Sequence, residues 1–232
     1  MQLLAGTSGF AYKEWKGVFY PADIKAADML KYYAGKFPAV EINNTFYRMP
    51  TESVVAGWAD QVPAGFTFVL KAPQKITHFK RLKEVEPELD YFCTVAKALG
   101  THIGPVLVQL PPNFKRDDER LASFLAAAPD DLRIAFEFRN PSWLDEEVYA
   151  VLRAHDAALV IAHDEEAETP MVATASWGYA RLRKVNYEPG ELAAWAEKLR
   201  TQPWKQLFAF FKHENEGTGP ALAAEFTALF EG

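Results

Sequence analysis

Short runs of branched and aromatic residues recur along this chain, separated by longer stretches in which apolar residues return every three or four positions. The runs begin near Leu3, Ala39, Phe66, Pro105, Arg133, Ala158, Trp177 and Gln206, about 29 residues apart over the 232-residue chain. That spacing is the length of a strand with its return helix. The helical patterns cover 28–36, 51–59, 87–99, 118–128, 145–155, 191–200 and 221–230. Thr51 stands at a cap position with Glu52 in the first turn, and Gly100 is placed to end the helix before it. Unit six is the exception, because 165–176 contains Thr169-Pro170 and no sustained helical pattern.

Strict strand–helix alternation predicts parallel pairing, and eight such units predict one closed (β/α)8 barrel over 1–232, with an irregular connection after strand six. The rival is an open doubly wound sheet. That fold carries a phosphate-binding glycine fingerprint after a strand; Gly6-Thr7-Ser8-Gly9 lacks its spacing, and there is no P-loop.

Successive strand residues face opposite sides, so each strand divides into two rows. In strand two, Glu41, Asn43 and Thr45 oppose Val40 and Ile42; in strand five, Ala135, Glu137 and Arg139 oppose Ile134, Phe136 and Phe138. Thr67, Val69 and Lys71 form one row of strand three, Gln109 opposes Val108 and Leu110 in strand four, and Tyr179, Arg181 and Arg183 share a row in strand seven. Strand six offers Val160, Ala162 and Asp164. The apolar rows belong against the helices, which leaves the polar rows inside. Their charged members come late, at the C-terminal strand ends where this fold builds its sites. Five strands supply them, six with the polar Gln109 of strand four, and desolvating so many ions without a function costs several kcal/mol per imperfectly paired ion.

Net charge is -6 with 49% hydrophobic and 24% charged residues, an ordinary globular composition that disfavours a general grip on nucleic acid. Locally the sign reverses. Glu41, Glu137 and Asp164 face Lys71, Arg139, Arg181 and Arg183, for a sum of +1, and the loop after strand three adds Lys75, His78, Lys80, Arg81 and Lys83. Such groups recognise carboxylate or phosphate. One cysteine, Cys93, rules out an internal disulfide, and no leader-like or membrane-length apolar stretch appears, so a cytoplasmic protein without a membrane partner is expected.

Several segments resemble the YecE-like family, domain-of-unknown-function family 72. They are Gly6-Thr7-Ser8-Gly9-Phe10 with Tyr12 and 15–21; 41–50, from Glu41 through Asn43 to Pro50; Lys71-Ala72-Pro73 with Ile76-Thr77-His78; 104–112, containing Gln109; and Glu137-Phe138-Arg139-Asn140-Pro141-Ser142-Trp143. The resemblance implies a TIM-type barrel and no established reaction. Glu41, Asn43, Lys71, His78, Gln109, Glu137, Arg139 and Arg181 match its motifs. The C-terminal third departs from it: Arg181-Leu182-Arg183-Lys184 stands where the family commonly reads Arg-Leu-His-Gly, and Phe211-Lys212-His213-Glu214-Asn215 replaces an asparagine-rich turn, so His213 and Asn215 receive no role.

The candidate general acid and base are Glu41 and Glu137. The candidate ligand contacts are Asn43, Lys71, His78, Gln109, Arg139, Asp164 and Arg181, with Tyr12 and Trp15 stacking at the rim unless they simply pack the first loop. Paired glutamates also suit glycoside hydrolysis, although the flanking cations suit anions better than neutral sugars. His163, Asp164, Glu137 and Glu214 are the residues a metal would need, but adjacent His163 and Asp164 face opposite ways, and no metal site is assigned. Lys71 suits Schiff-base chemistry if burial and neighbouring arginines depress its pKa. No cofactor is indicated. Two classes remain: an enzyme acting on a small anionic substrate, and a noncatalytic binder of nucleotides or nucleic acid that uses the basic loop and rim aromatics.

Overall fold

The computed structural model describes residues 1–165, 168–212 and 215–231, with Asn215 described by its backbone alone. His213 and Glu214, and the Asn215 side chain, therefore lie outside the described residues. Eight parallel strands close into a barrel in sequence order: β1 (Gln2–Ser8), β2 (Ala39–Ile42), β3 (Thr67–Lys71), β4 (Ile103–Gln109), β5 (Ile134–Glu137), β6 (Ala158–His163), β7 (Gly178–Leu182) and β8 (Gln206–Phe211). This is the (β/α)8 architecture that the alternation predicts, and β1 pairing with β8 removes the open edge of the rival sheet. Outside lie α1 (Met29–Ala34), α3 (Glu52–Ala59), α4 (Glu86–Lys97), α5 (Asp118–Ala127), α6 (Glu146–Ala154), α7 (Glu191–Arg200) and α8 (Thr218–Glu231). No described helix is long and apolar enough to cross a membrane.

The two strand rows separate as their chemistry requires. Val40, Ile42, Phe68, Leu70, Val106, Val108, Ile134 and Phe136 join the helices in one large core. Leu4, Ala39, Val69, Leu107, Ala135, Val160, Tyr179, Phe208 and Phe210 form a second core inside the barrel. Polar strand ends lie above that inner core.

Two sequence readings need correction. Strand two stops at Ile42, and Asn43 stands at the N-cap position, without a side-chain cap, of a four-residue helix, α2 (Asn44–Tyr47). Thr45 is therefore no strand residue; its buried hydroxyl donates 2.7 Å to the Lys71 carbonyl and lies 3.1 Å from that of Ile42. Thr51 occupies its N-cap position, but its hydroxyl bonds Ser53 instead of the helix amides. The working side-chain caps are Asp117 on α5 and Asp145 on α6, each accepting from an orphan amide. Gly100 does lie just past α4, at φ +57°, the left-handed geometry that favours glycine after a helix.

The connection from β6 to β7 contains no helix among its described residues. Thr174 anchors it, accepting from the Leu159 amide (2.7 Å) and donating to the Ala157 carbonyl (2.8 Å). Before that the chain doubles back, pairing Glu168 antiparallel with His163, and the Thr169 amide reaches the Ala162 carbonyl at 2.8 Å. β7 holds the other side of β6 through residues up to His163. The returning chain thus takes the edge of β6 that β5 leaves free, because β5 and β6 pair only at Ala135–Ala158 and Phe136–Leu159.

Candidate functional site

Glu41 ends the inner row of β2, completely buried. Its Oε1 accepts hydrogen bonds from Ser8 Oγ (2.7 Å), Asn43 Nδ2 (3.0 Å) and Arg181 Nη2 (2.8 Å). Its Oε2 accepts from Tyr179 OH (2.6 Å) and Arg181 Nε (3.0 Å). Burial pushes this carboxyl's pKa upward, but the Arg181 charge and the hydrogen bonds outweigh it, and the group titrates below the ordinary range.

Glu137 holds the matching position on β5. Arg181 Nη1 donates to its Oε2. Its Oε1 accepts from Gln109 Nε2 (2.8 Å) and lies 3.4 Å from Arg139 Nε and 3.7 Å from Arg183 Nη2. Burial again opposes ionisation, and Arg181, Arg183 and Arg139 reverse that effect, lowering the pKa to about 2. Arg181, 3% exposed, therefore bridges two glutamates from opposite parts of the barrel, and their charges hold it protonated despite its burial. Arg183 turns to Asp164 at 2.6 Å.

Lys71 ends the inner row of β3. Its Nζ donates to Gln109 Oε1 (2.9 Å) and sits 4.2 Å from the centre of the Phe46 ring. Among the described residues no carboxylate lies within ion-pair distance of it. Burial, then Arg181 and Arg139, lower its pKa to about 8, against the raising fields of Glu41 and Glu137. His78 stands on a π-helical turn, Lys75–Phe79, with its ring edge-on to Phe46 and its Nδ1 bonded to Thr77 (2.8 Å). Burial and the charges of Lys71, Arg139 and Arg81 depress its titration.

Glu41, Asn43, Lys71, Gln109, Glu137, Arg139 and Arg181 thus form one connected network, with Asp164 joined through Arg183 and His78 beside Lys71. The rim aromatics divide. Tyr12 donates to the Ser8 carbonyl at 2.6 Å. Trp15 is 1% exposed, packed among Tyr12, Phe19 and Tyr20, so no ring face remains for a ligand, and packing of the first loop is what the structure shows for it. Ser8, at the end of β1, and Tyr179, near the start of β7, also hold Glu41; both are uncharged, and only the strand alternation marks them as inward-facing. On the basic loop, Lys75 and Lys80 both bind Glu88, at 2.9 and 2.8 Å. Cys93 is buried in α4, where burial pushes its thiol up to about 11, unsuited to nucleophilic work. No cluster of His, Cys, Asp and Glu fit to hold a metal occurs among the described residues.

A cleft of about 640 Å³ opens at the upper end of the β5–β6 seam, lined by Glu137, Arg139, Asn140, Asp164, Thr169 and Arg183 among others. The returning chain after β6 forms one wall of it.

A closed parallel barrel of eight strands with interleaved helices is a TIM-type barrel, and its charged network lies at the end of the strands where that fold builds its sites. The chain belongs to the family described as Protein of unknown function DUF72, whose model matches residues 4–232. Among its relatives is the UPF0759 protein YunF of Bacillus subtilis, 28% identical over a 138-residue alignment that covers 56% of this chain. The match covers 49% of YunF, so this chain spans about half the length of that curated relative. The fold is similar to the crystal structure of a DUF72 family protein from Thermotoga maritima, with TM-score 0.87 and 26% identity over 100% of both chains. A second DUF72 structure, from Enterococcus faecalis, aligns with TM-score 0.72 and 23% identity over 88% of this chain and 92% of that one.

Proposed function

We propose that the barrel mouth binds a small anionic molecule bearing phosphate or carboxylate, with Arg139 and Lys71 as its cationic contacts. The observation that carries this reading is how the positive charges are shared. Arg181 is engaged by two glutamates, and Glu137 must serve three arginines at once. Arg139 is left with one long contact, from Nε at 3.4 Å, while its side chain is 39% exposed and its two terminal nitrogens bond nothing among the described residues. Lys71 has an amide oxygen and a ring in place of a carboxylate.

Glu41 and Glu137 have no proton to donate near neutrality, since both titrate below the ordinary carboxylate range. Their part in this reading is to fix Arg181 and Gln109, and any general-base step falls to them or to Lys71, whose pKa of about 8 lies closest to working pH. Asn43, Gln109, His78 and Asp164 then orient groups at the mouth.

Calorimetric titration with phosphate, sulfate and sugar phosphates at low salt tests the reading on wild type and Arg139→Met. One charged hydrogen bond is worth roughly 1.5–3 kcal/mol, so the variant is expected to bind at least about tenfold more weakly. Absence of binding by wild type, or equal binding by both proteins, overturns it.

A further inference from the structure

We infer that Lys71 is an amine nucleophile, and that the anion taken by the mouth carries an aldehyde or ketone with which Lys71 forms an imine. This rests on the anion-binding reading and extends it to a substrate class: Arg139 keeps the anion, and Lys71, a cationic contact while protonated, meets the carbonyl as the neutral amine. The geometry is that of a lysine kept from the partner it would normally take. Glu41 and Glu137 lie close enough for their fields to be felt, yet both are turned into Arg181, and Lys71 Nζ meets Gln109 Oε1 and the Phe46 face. Gln109 cannot flip to offer its amide group without losing its 2.8 Å bond to Glu137, so its oxygen stays on Lys71. A neutral amine can donate to that oxygen as an ammonium does. Deprotonation therefore breaks no ion pair and leaves the nitrogen where it was.

The charged groups facing Lys71 act in opposite senses: Arg181 from β7 and Arg139 beyond β5 disfavour the ammonium, Glu41 from β2 and Glu137 from β5 favour it, and His78 from the turn after β3 is itself depressed by Lys71. Burial beneath Phe46 adds to the first group, and a lysine desolvated beside other cations is how proteins make a nucleophilic amine. The step is redox-neutral. The nitrogen lone pair forms a bond to the carbonyl carbon, the C=O π pair moves to oxygen, and an amine proton follows it to give a carbinolamine. Loss of that oxygen as water, with one further proton from solvent, leaves the protonated imine. Arg139, 39% exposed and joined to Lys71 through Glu137 and Gln109, would hold the anionic end in this reading.

The test uses pyridoxal phosphate and pyridoxal, two aldehydes differing in the phosphate, each with cyanoborohydride, followed by peptide mass spectrometry of the full chain. Lys71 is expected to be labelled by pyridoxal phosphate about tenfold or more faster than exposed Lys13 or Lys25, with a rate rising through about pH 8. Inorganic phosphate should slow that labelling, and Lys71→Met should abolish it while surface labelling and the melting temperature persist. Labelling of Lys71 no faster than the surface lysines overturns the inference, even if calorimetry shows phosphate bound. Fast labelling of Lys71 at equal rates by both aldehydes would instead uphold the nucleophile and remove the anion site beneath it.

Discussion

Arg181→Met should destabilise the fold by about 3–5 kcal/mol at neutral pH, the cost of stranding buried carboxylates without their counter-ion. Arg181 supplies the bidentate contact to Glu41 and the short bond to Glu137, and both glutamates are at most 2% exposed. The pH dependence should also reverse. In wild type the Glu137 pKa drops from 4.5 to about 2 on folding, so its stabilisation is present above 4.5 and disappears as pH falls toward 2, an interval worth about 3 kcal/mol. Without the arginine, Glu137 still faces Arg183 and Arg139, but Glu41 loses its one cationic partner, burial dominates there, and that carboxyl titrates above the ordinary range. Stability is then present below the raised pKa and lost as pH climbs through it. Urea midpoints at about pH 5 and about pH 8 are expected to fall with rising pH in the variant, opposite to the acid loss of wild type. A variant with the wild-type midpoint at neutral pH would show that Arg181 is not what holds these glutamates.

Gly6→Ala is expected to be nearly as costly, at about 3–5 kcal/mol, through sterics alone. A Cβ at Gly6 would stand 2.0 Å from the Ala39 carbonyl oxygen and 2.9 Å from the Tyr33 hydroxyl. Ala39 is the β2 residue that pairs with Gly6, so the backbone itself must yield and the β1–β2 ladder must part. Tyr33 OH accepts the buried Thr7 amide (2.8 Å) and donates to Ala39 (3.1 Å), so the same displacement leaves that amide unsatisfied. Gly57→Ala in α3 is the control. Nothing lies within 4 Å of its new methyl, and helix propensity favours alanine there by about 1 kcal/mol. Thermal denaturation should move the two variants in opposite directions. A Gly6→Ala protein that melts with wild type would mean that β1 and β2 approach less closely than described.

Residue alternation was enough to place Glu41, Lys71, Gln109, Glu137 and Arg181 inside the barrel, because the side a strand residue faces is a local property. Which of them touch is not local. It depends on the stagger of strands far apart in sequence, and the Arg181–Glu41 contact spans 140 residues. Thr45 departs from the alternation because an alternating pattern does not mark where β2 gives way to a helical turn, and Thr51 leaves its helix amides because Ser53 competes for its hydroxyl. Trp15 illustrates a different gap: an aromatic residue in a long loop packs inward or lines a mouth with the same sequence signature. The missing helix of unit six was legible from Thr169-Pro170; the return of that chain along β6 was not, since it depends on how soon β5 lets go.

That early parting has a mechanical meaning. A barrel under radial strain is only as strong as its weakest seam, and two residue pairs hold β5 to β6. Above them the hoop is completed by side chains, with Arg181 and Arg183 of the β7 row stepping over β6 to reach Glu137. The charges that would greet a ligand therefore also carry tension round the ring. A molecule that draws Arg183 away from Glu137 slackens the hoop at the place where it enters.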